Sequence, residues 1–328
     1  MNKYLVTGGL GFIGSVLVKQ LLENPDNVVF VIDDLSNSSW EPEVPHRSLM
    51  VQLMDIYDWD SDSEKPNLVI VEGNCSHHSV ISAIGRKMFK TVFHLAAKPR
   101  VQWCVENPAE STGENFFKSI QLAEACAHSN TKFIFSSTSA VYGDGVQMPT
   151  QESSETNVSS PYGLAKLCVE QYLELYEKLY NLDWVALRYF NVYGPGQVGD
   201  SPYSTAIAAW CHKVKNGEPM RSDGDGEQSR DMVFVQDIAD ANIQIDQHHT
   251  REMNNRIYNI GTGTRYTNNM ILDYFKAKGY QNIIQAPARP GDVKHTLADN
   301  QKMQEDFNWS PETCLDEGLK KTFEWWNI

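Results

Sequence analysis

Long apolar runs are missing: no stretch reaches the roughly 18 residues that a bilayer-spanning helix needs, so nothing here reads as a membrane span. Positive charge is scarce. Lys and Arg number 28 against 42 Asp and Glu, for a formal net charge of −14. A chain this acidic is expected to repel DNA, RNA and anionic membrane, leaving nucleic acid and membrane out as partners. Small anionic ligands are not excluded, because local N–H groups and a few basic side chains can hold them. Cysteine is sparse too: Cys75, Cys104, Cys126, Cys168, Cys211 and Cys314 include no C-x-x-C pair. They are expected to be reduced and structural, in a cytoplasmic protein, with no metal role. The acidic stretch "DIYDWDSDSE" (55–64) lacks the Gly and closing Glu of a calcium loop, so a solvated surface segment is expected there. "MNKYLVTGG" enters a strand at once, so no secretory leader is expected.

What is present alternates. "KYLVTGG", "NVVFVID", "LVIVEGN", "TVFHLAA", "KFIFSSTS", "DWVALRYFN" and "RIYNIG" are short apolar runs, separated by helical patterns such as 12–23, 108–128 and 161–180. Strands buried on both faces and spaced by helices predict an α/β fold, a doubly wound parallel sheet with ligands beyond its carboxyl edge. After residue 190 the chain turns rich in Gly, Pro and Asp around one helix near 204–216. The expected division is a sheet domain of 1–190 with a return segment 230–262, and a smaller C-terminal α/β lobe of 191–229 and 263–328.

"LVTGGLGFIGS" carries Gly9-x-Gly11-x-x-Gly14, and Gly8 begins a second pattern with Gly11 and Gly14. The loop follows a strand and opens a helix, the context that makes it a diphosphate cradle. Asp33 ends the second strand. A carboxylate there suits a ribose 2′-hydroxyl and repels a 2′-phosphate. No Lys or Arg follows within "DDLSNSSW", which argues for NAD over NADP.

In "SSPYGLAK", Ser160 and Pro161 read as a helix start. Tyr162 and Lys166 then project from one face, a spacing that means little alone. With "GGLGFIGS", "HLAAKPRV", "FIFSSTSAVYG", "LRYFNVYGPGQ", "GDGEQSRDMVFVQDIADA" and "ARPGDVKHTLAD" in this order, the chain resembles the extended short-chain dehydrogenase/reductase family, in its nucleotide-sugar epimerase and dehydratase branch. The resemblance covers almost the whole length and implies a Rossmann fold. It implies that Tyr162 is the base, Lys166 its electrostatic tuner and a nicotinamide-ribose contact, and Thr138 the hydroxyl partner at the reacting oxygen. A free tyrosine ionises near ~10, so a neighbouring ammonium and a positive nicotinamide are expected to favour the phenolate. Further NAD contacts are implied for Phe12 and Ile13, for Asn37 and Ser38, for Asn74 and Cys75, for the wall Leu95, Ala96 and Ala97, and for Ser136. Asn115 matches a helix asparagine that is either structural or in contact with the cofactor. Asp34 and Asn74 depart from the family's usual Asn and Asp.

On the substrate side the resemblance assigns Asn191, Arg230, Arg289, Asp292 and Thr296 to a sugar nucleotide, with the arginines on its diphosphate. Dehydratases of this branch carry Asp-Glu after the threonine; here Ser139 and Ala140 stand there. The expected reaction is therefore NAD-dependent 4-epimerisation of a UDP-hexose through a 4-keto sugar. Dehydratase, decarboxylase and reductase are the alternatives within the family, and a silent binding protein the alternative outside enzymes. Thr296 falls where a bulkier residue closes some epimerase pockets, so N-acetylated sugars are expected to fit beside UDP-glucose and UDP-galactose. Helix 161–180 carries two apolar stripes, Ala165–Val169–Tyr172–Leu173–Tyr176 and Leu164–Leu167–Cys168–Leu175–Leu179. It needs cover on both sides, and a homodimer is expected.

Overall fold

The computed structural model describes residues 1–40, 47–48 (backbone only), 67–144, 147–200, 204–288 and 293–328. The acidic stretch 55–64 lies outside them. The apolar runs become strands as expected, β1 (Asn2–Thr7), β2 (Asn27–Asp33), β4 (Leu68–Glu72), β5 (Thr91–His94), β6 (Lys132–Thr138), β7 (Trp184–Tyr189) and, much later, β11 (Ile257–Ile260); a two-residue β3 (Arg47–Ser48), which no apolar run announced, joins them. They pair in the order β11-β7-β6-β5-β1-β2-β4-β3, every pair parallel. The order reverses between β1 and β5, and that switch point is where a doubly wound sheet opens a crevice beyond its strand ends.

Alternation along the strands sends side chains to two cores. Leu5, Phe30, Phe133 and Phe135 pack under α2 (His78–Gly85), α5 (Lys118–Ser129) and α6 (Pro161–Tyr180). Tyr4, Val6, Val29, Val31 and Ile134 pack under α1 (Phe12–Leu21), α8 (Val235–His248) and α10 (Gln301–Phe307). The stretch 108–128, read as one helix, is divided. A short α3 (Val101–Glu106) precedes α4 (Pro108–Thr112), and a π-helical turn (Gly113–Phe117) joins α4 to α5. On α6, Ala165, Val169 and Leu173 are buried, whereas Tyr172, at the edge of that stripe, is exposed and leans on Phe116.

A third core gathers Trp210 of α7 (Ala206–Lys215), Met220 of β9 (Met220–Asp223), Met232 and Phe234 of β10 (Ser229–Phe234), Phe275 of α9 (Asn268–Ala277), and Phe323 and Trp326 of α11 (Leu315–Trp326). Phe323 and Trp326, of the "FEWW" stretch, are thus packing residues. β10 sits between β8 (Asn191–Tyr193) and β12 (Arg265–Thr267), and β9 pairs with β13 (Ile283–Ala286). All six cysteines are unpaired. No helix among the described residues is long and apolar enough to cross a membrane.

Candidate active site

The turn after β1 is built for close approach. Gly8 has φ +71°, and a Cβ there would meet the Ala96 nitrogen at 2.8 Å; a Cβ on Gly14 would collide with the Gly8 carbonyl oxygen. Only glycine fits either position. α1 opens on Gly11 with no side-chain cap, so Phe12, Ile13 and Gly14 meet a cleft with the positive end of the helix. This cleft runs from the β1 turn to the small lobe and holds about 1740 Å³. A single small-molecule site typically takes ~300–1,000 Å³, so the cleft has room for two ligands side by side.

Asp33 lines it. Its Oδ2 accepts from the Leu10 N–H and its Oδ1 from the Leu35 N–H, each at 2.9 Å. Burial pushes this carboxyl up, against the pull of those two N–H groups. Each oxygen keeps a lone pair for a ribose hydroxyl. Asn37, Asn74, Cys75, Leu95, Ala96 and Ala97 also line the cleft, but Ser38 does not: its hydroxyl is buried with no hydrogen-bond partner among the described residues. Asn74 commits its Oδ1 to the Ser76 N–H at 3.0 Å and hydroxyl at 3.2 Å. Burial pushes the Cys75 thiol up to about 12. Glycine cradle, uncapped helix and carboxylate together fit a dinucleotide.

Thr138 ends β6 and Tyr162 stands in the first turn of α6, where Ser160 caps the helix by accepting from the Gly163 N–H at 3.1 Å. The Thr138 hydroxyl lies near enough to the phenol to act on its ionisation. Burial holds the Tyr162 phenol well above its ordinary value, with nearby Cys104 adding to this and Thr138 opposing it. Lys166, 1% exposed, donates to the Ser136 carbonyl at 2.8 Å and lies over the Phe135 ring at 4.6 Å. Burial pulls its ammonium down to about 7, against the nearby Glu170. Its Nζ is 5.9 Å from the centre of the Tyr162 ring. Among the chain's own groups burial thus keeps the phenol protonated; the expected shift towards phenolate also calls on a positive nicotinamide.

Behind this trio lies a network that sequence reasoning missed. Arg188 of β7 grips Glu170 of α6 through Nη2–Oε2 at 2.6 Å and Nε–Oε1 at 3.0 Å. The Ser137 hydroxyl donates to the same carboxylate. Arg188 also donates to the Tyr142 hydroxyl at 2.8 Å, which donates to Asn259 Oδ1 at 2.6 Å. One signal was available: Glu170 follows Lys166 by four residues and so continues the face that carries Tyr162 and Lys166. Asn115, in the π-helical turn, has no cleft-lining role. It clamps the Lys98 backbone instead, its Oδ1 accepting from the N–H at 2.8 Å and its Nδ2 donating to the carbonyl at 3.2 Å.

At the lobe end the structure brings Asn191, Arg230 and Thr296 onto one cleft wall. The Thr296 hydroxyl donates to Asn191 Oδ1 and accepts from the Asp231 N–H, both at 3.1 Å. Arg230 donates to the carbonyls of Ser229 and Lys294 at 3.0 and 3.2 Å. Buried Asp231 anchors this wall: Oδ1 takes the Thr262 N–H and hydroxyl, each at 2.7 Å, and Oδ2 the N–H groups of Gly263 and Ala298, each at 3.0 Å. Arg289 and Asp292 lie outside the described residues.

Residues 4–261 match the sequence model of a family described as the NAD-dependent epimerase/dehydratase family. A protein of Methanocaldococcus jannaschii described as a putative UDP-glucose 4-epimerase is 35% identical, over 98% of this chain and 97% of its own. A solved UDP-N-acetylglucosamine 4-epimerase of Methanobrevibacter ruminantium, in complex with UDP-N-acetylmuramic acid, superposes with TM-score 0.84 at 34% identity, covering 99% of this chain and 98% of the other. The UDP-glucose 4-epimerase of Thermotoga maritima with UDP-glucose gives 0.84 at 33% identity, with the same coverage.

Proposed function

The chain belongs to the NAD-dependent epimerase/dehydratase family, and on that premise we propose that it interconverts the C4 epimers of a UDP-hexose. One observation carries this reading: Thr138, Tyr162 and Lys166 stand together in the same cleft as the glycine turn and Asp33. Gly8, Gly11, Phe12, Ile13 and Gly14 would hold the NAD diphosphate, Asp33 and Asn37 the adenosine ribose, and Lys166 the nicotinamide ribose. When bound, NAD supplies a carbon that takes up the C4 hydride and gives it back, together with positive charge that favours the phenolate. Thr138 holds the C4 oxygen. Tyr162 Oη accepts its proton as the alcohol becomes a ketone, and returns it after the sugar has turned over in the cleft. Arg230 and Asn191 stand where the sugar-nucleotide diphosphate would lie, the guanidinium fork suiting phosphate oxygens.

Elimination of water needs an acid and a base beside the sugar. Ser139 and Ala140, which line the cleft directly after Thr138, bring no carboxylate there; this favours epimerisation over the dehydratase and decarboxylase readings. Thr296 is small and leaves the wall open to an N-acetyl group, in keeping with the relative named for UDP-N-acetylglucosamine. Unpaired thiols go with a cytoplasmic setting. Exposed Leu164, Leu175 and Leu179 on α6 go with a homodimer.

The test is product identification with a panel of UDP-, dTDP- and GDP-sugars. Interconversion of UDP-glucose and UDP-galactose, and of the N-acetylated pair, is expected. Tyr162→Phe should lower turnover by about 10²–10⁴-fold while NAD still binds. Turnover of the plain hexoses without the N-acetylated pair would overturn the Thr296 assignment, and wild-type turnover in Tyr162→Phe the catalytic one.

A further inference from the structure

No Lys or Arg follows Asp33 in sequence as far as residue 40, yet the fold brings two cations to that loop from another element. The segment after β5 reaches across the mouth of the crevice. Lys98 Nζ lies 3.2 Å from Asp34 Oδ2 and also donates to the Ser36 hydroxyl. Arg100 Nη2 donates to Asn37 Oδ1 at 2.8 Å. Both cations line the cleft, and Asn115 fixes the Lys98 backbone from behind. In doubly wound folds the adenosine ribose lies at the end of the second strand, where a carboxylate suits a 2′-hydroxyl and a nearby cation a 2′-phosphate. Here both are present: Lys98 pairs with Asp34 and Arg100 reaches Asn37, while Asp33 and Asp34 offset the two cations in charge.

We propose that Lys98 and Arg100 form a latent 2′-phosphate site, and that Asp33 and Asp34, rather than any lack of cations, exclude NADP. This rests on the dinucleotide reading of the cleft. Removing a carboxylate leaves the cations uncompensated, and a like charge taken from within ~5 Å of a phosphate is worth at least about tenfold in affinity.

NAD and NADP binding are measured by titration calorimetry, and co-purifying dinucleotide is identified by mass, for wild type, Asp34→Asn, and Asp33→Ser with Asp34→Asn. NADP affinity should rise at each step, by at least about tenfold per carboxylate. Adding Lys98→Met and Arg100→Met should lower NADP affinity again, leaving only the part of the gain that relief of repulsion supplies. Asp34→Asn leaves the backbone bonds of Asp33 intact, so the test survives if Asp33→Ser does not fold. The proposal is overturned if these variants bind NAD but gain no NADP affinity, or if the gain persists undiminished without Lys98 and Arg100. A wild-type protein that binds neither dinucleotide overturns it together with the cofactor reading, whereas NAD binding without a gain in NADP overturns it alone.

Discussion

Lys166 is asked to be charged and buried at once. Its pKa falls from the usual 10.5 to about 7 on folding, by desolvation. Between these values the unfolded chain holds the proton and the folded chain does not. The cost to the fold is thus full below pH 7, shrinks as pH rises, and vanishes above 10.5. Lys166→Met should abolish turnover yet stabilise the NAD-free protein at pH 6 by on the order of 1–3 kcal/mol, with the gain fading by pH 10. Urea melts at the two pH values check this, and a variant less stable than wild type at pH 6 would contradict it. Glu170 makes the opposite case. Glu170→Gln leaves Arg188 buried without its carboxylate, at a cost of about 3–5 kcal/mol, whereas Glu170→Gln with Arg188→Met should cost far less; a double-mutant cycle reads the difference. The Tyr162–Lys166 spacing means little alone, and the pair was legible through the family resemblance that the ordered motifs carry. Glu170 continues that spacing, but its partner lies on β7, and no local pattern announces a contact between elements.

The π-helical turn Gly113–Phe117 shows what an element adds to its residues. Ser111, Asn115 and Ser119 recur every fourth residue and are all fully buried, a polar line on an otherwise packed face. Ser119 meets His94 Nε2 at 2.8 Å, and His94 Nδ1 meets the Thr7 hydroxyl at 2.7 Å. Asn115 clamps Lys98. The line therefore ties the ends of β1 and β5 to the wall that would flank the cofactor. Asn115→Ala removes the partners of both Lys98 backbone groups, and should lower stability by about 1–3 kcal/mol and weaken NAD binding. Calorimetry on the variant reads the second effect, and unchanged NAD affinity would mean that packing alone holds the wall. Helix against strand was legible here, since 108–128 read as helical. The π-turn was not, since its one inserted residue changes no local preference.

At the scale of the molecule, alternating apolar runs made the parallel sheet and its crevice legible, whereas most of the cleft lining was legible only through the family resemblance. What stayed hidden came from chain segments far apart in sequence: Lys98 and Arg100 over residues 34–37, and Asp231 binding Thr262, Gly263 and Ala298. The same sheet leaves α6 two-faced. One face carries Tyr162 and Lys166 inward, and the other leaves Leu164, Leu175 and Leu179 exposed, the last at 59%. Phe117 of the π-turn is exposed too, beside the Phe116–Tyr172 contact at 5.3 Å, so the apolar surface runs on past α6. An apolar patch continuous over two elements marks an interaction surface, and a second copy of the same helix offers a matching one about a two-fold axis. We expect sedimentation equilibrium to give twice the chain mass. Leu175→Glu with Leu179→Glu should shift it to the single-chain mass, because a dimer would bury four added carboxylates without partners. Turnover should persist in the monomer, since a single chain brings Thr138, Tyr162 and Lys166 into one cleft with the glycine turn and Asp33. A single-chain mass for the wild type at micromolar concentration would show that this stripe faces water.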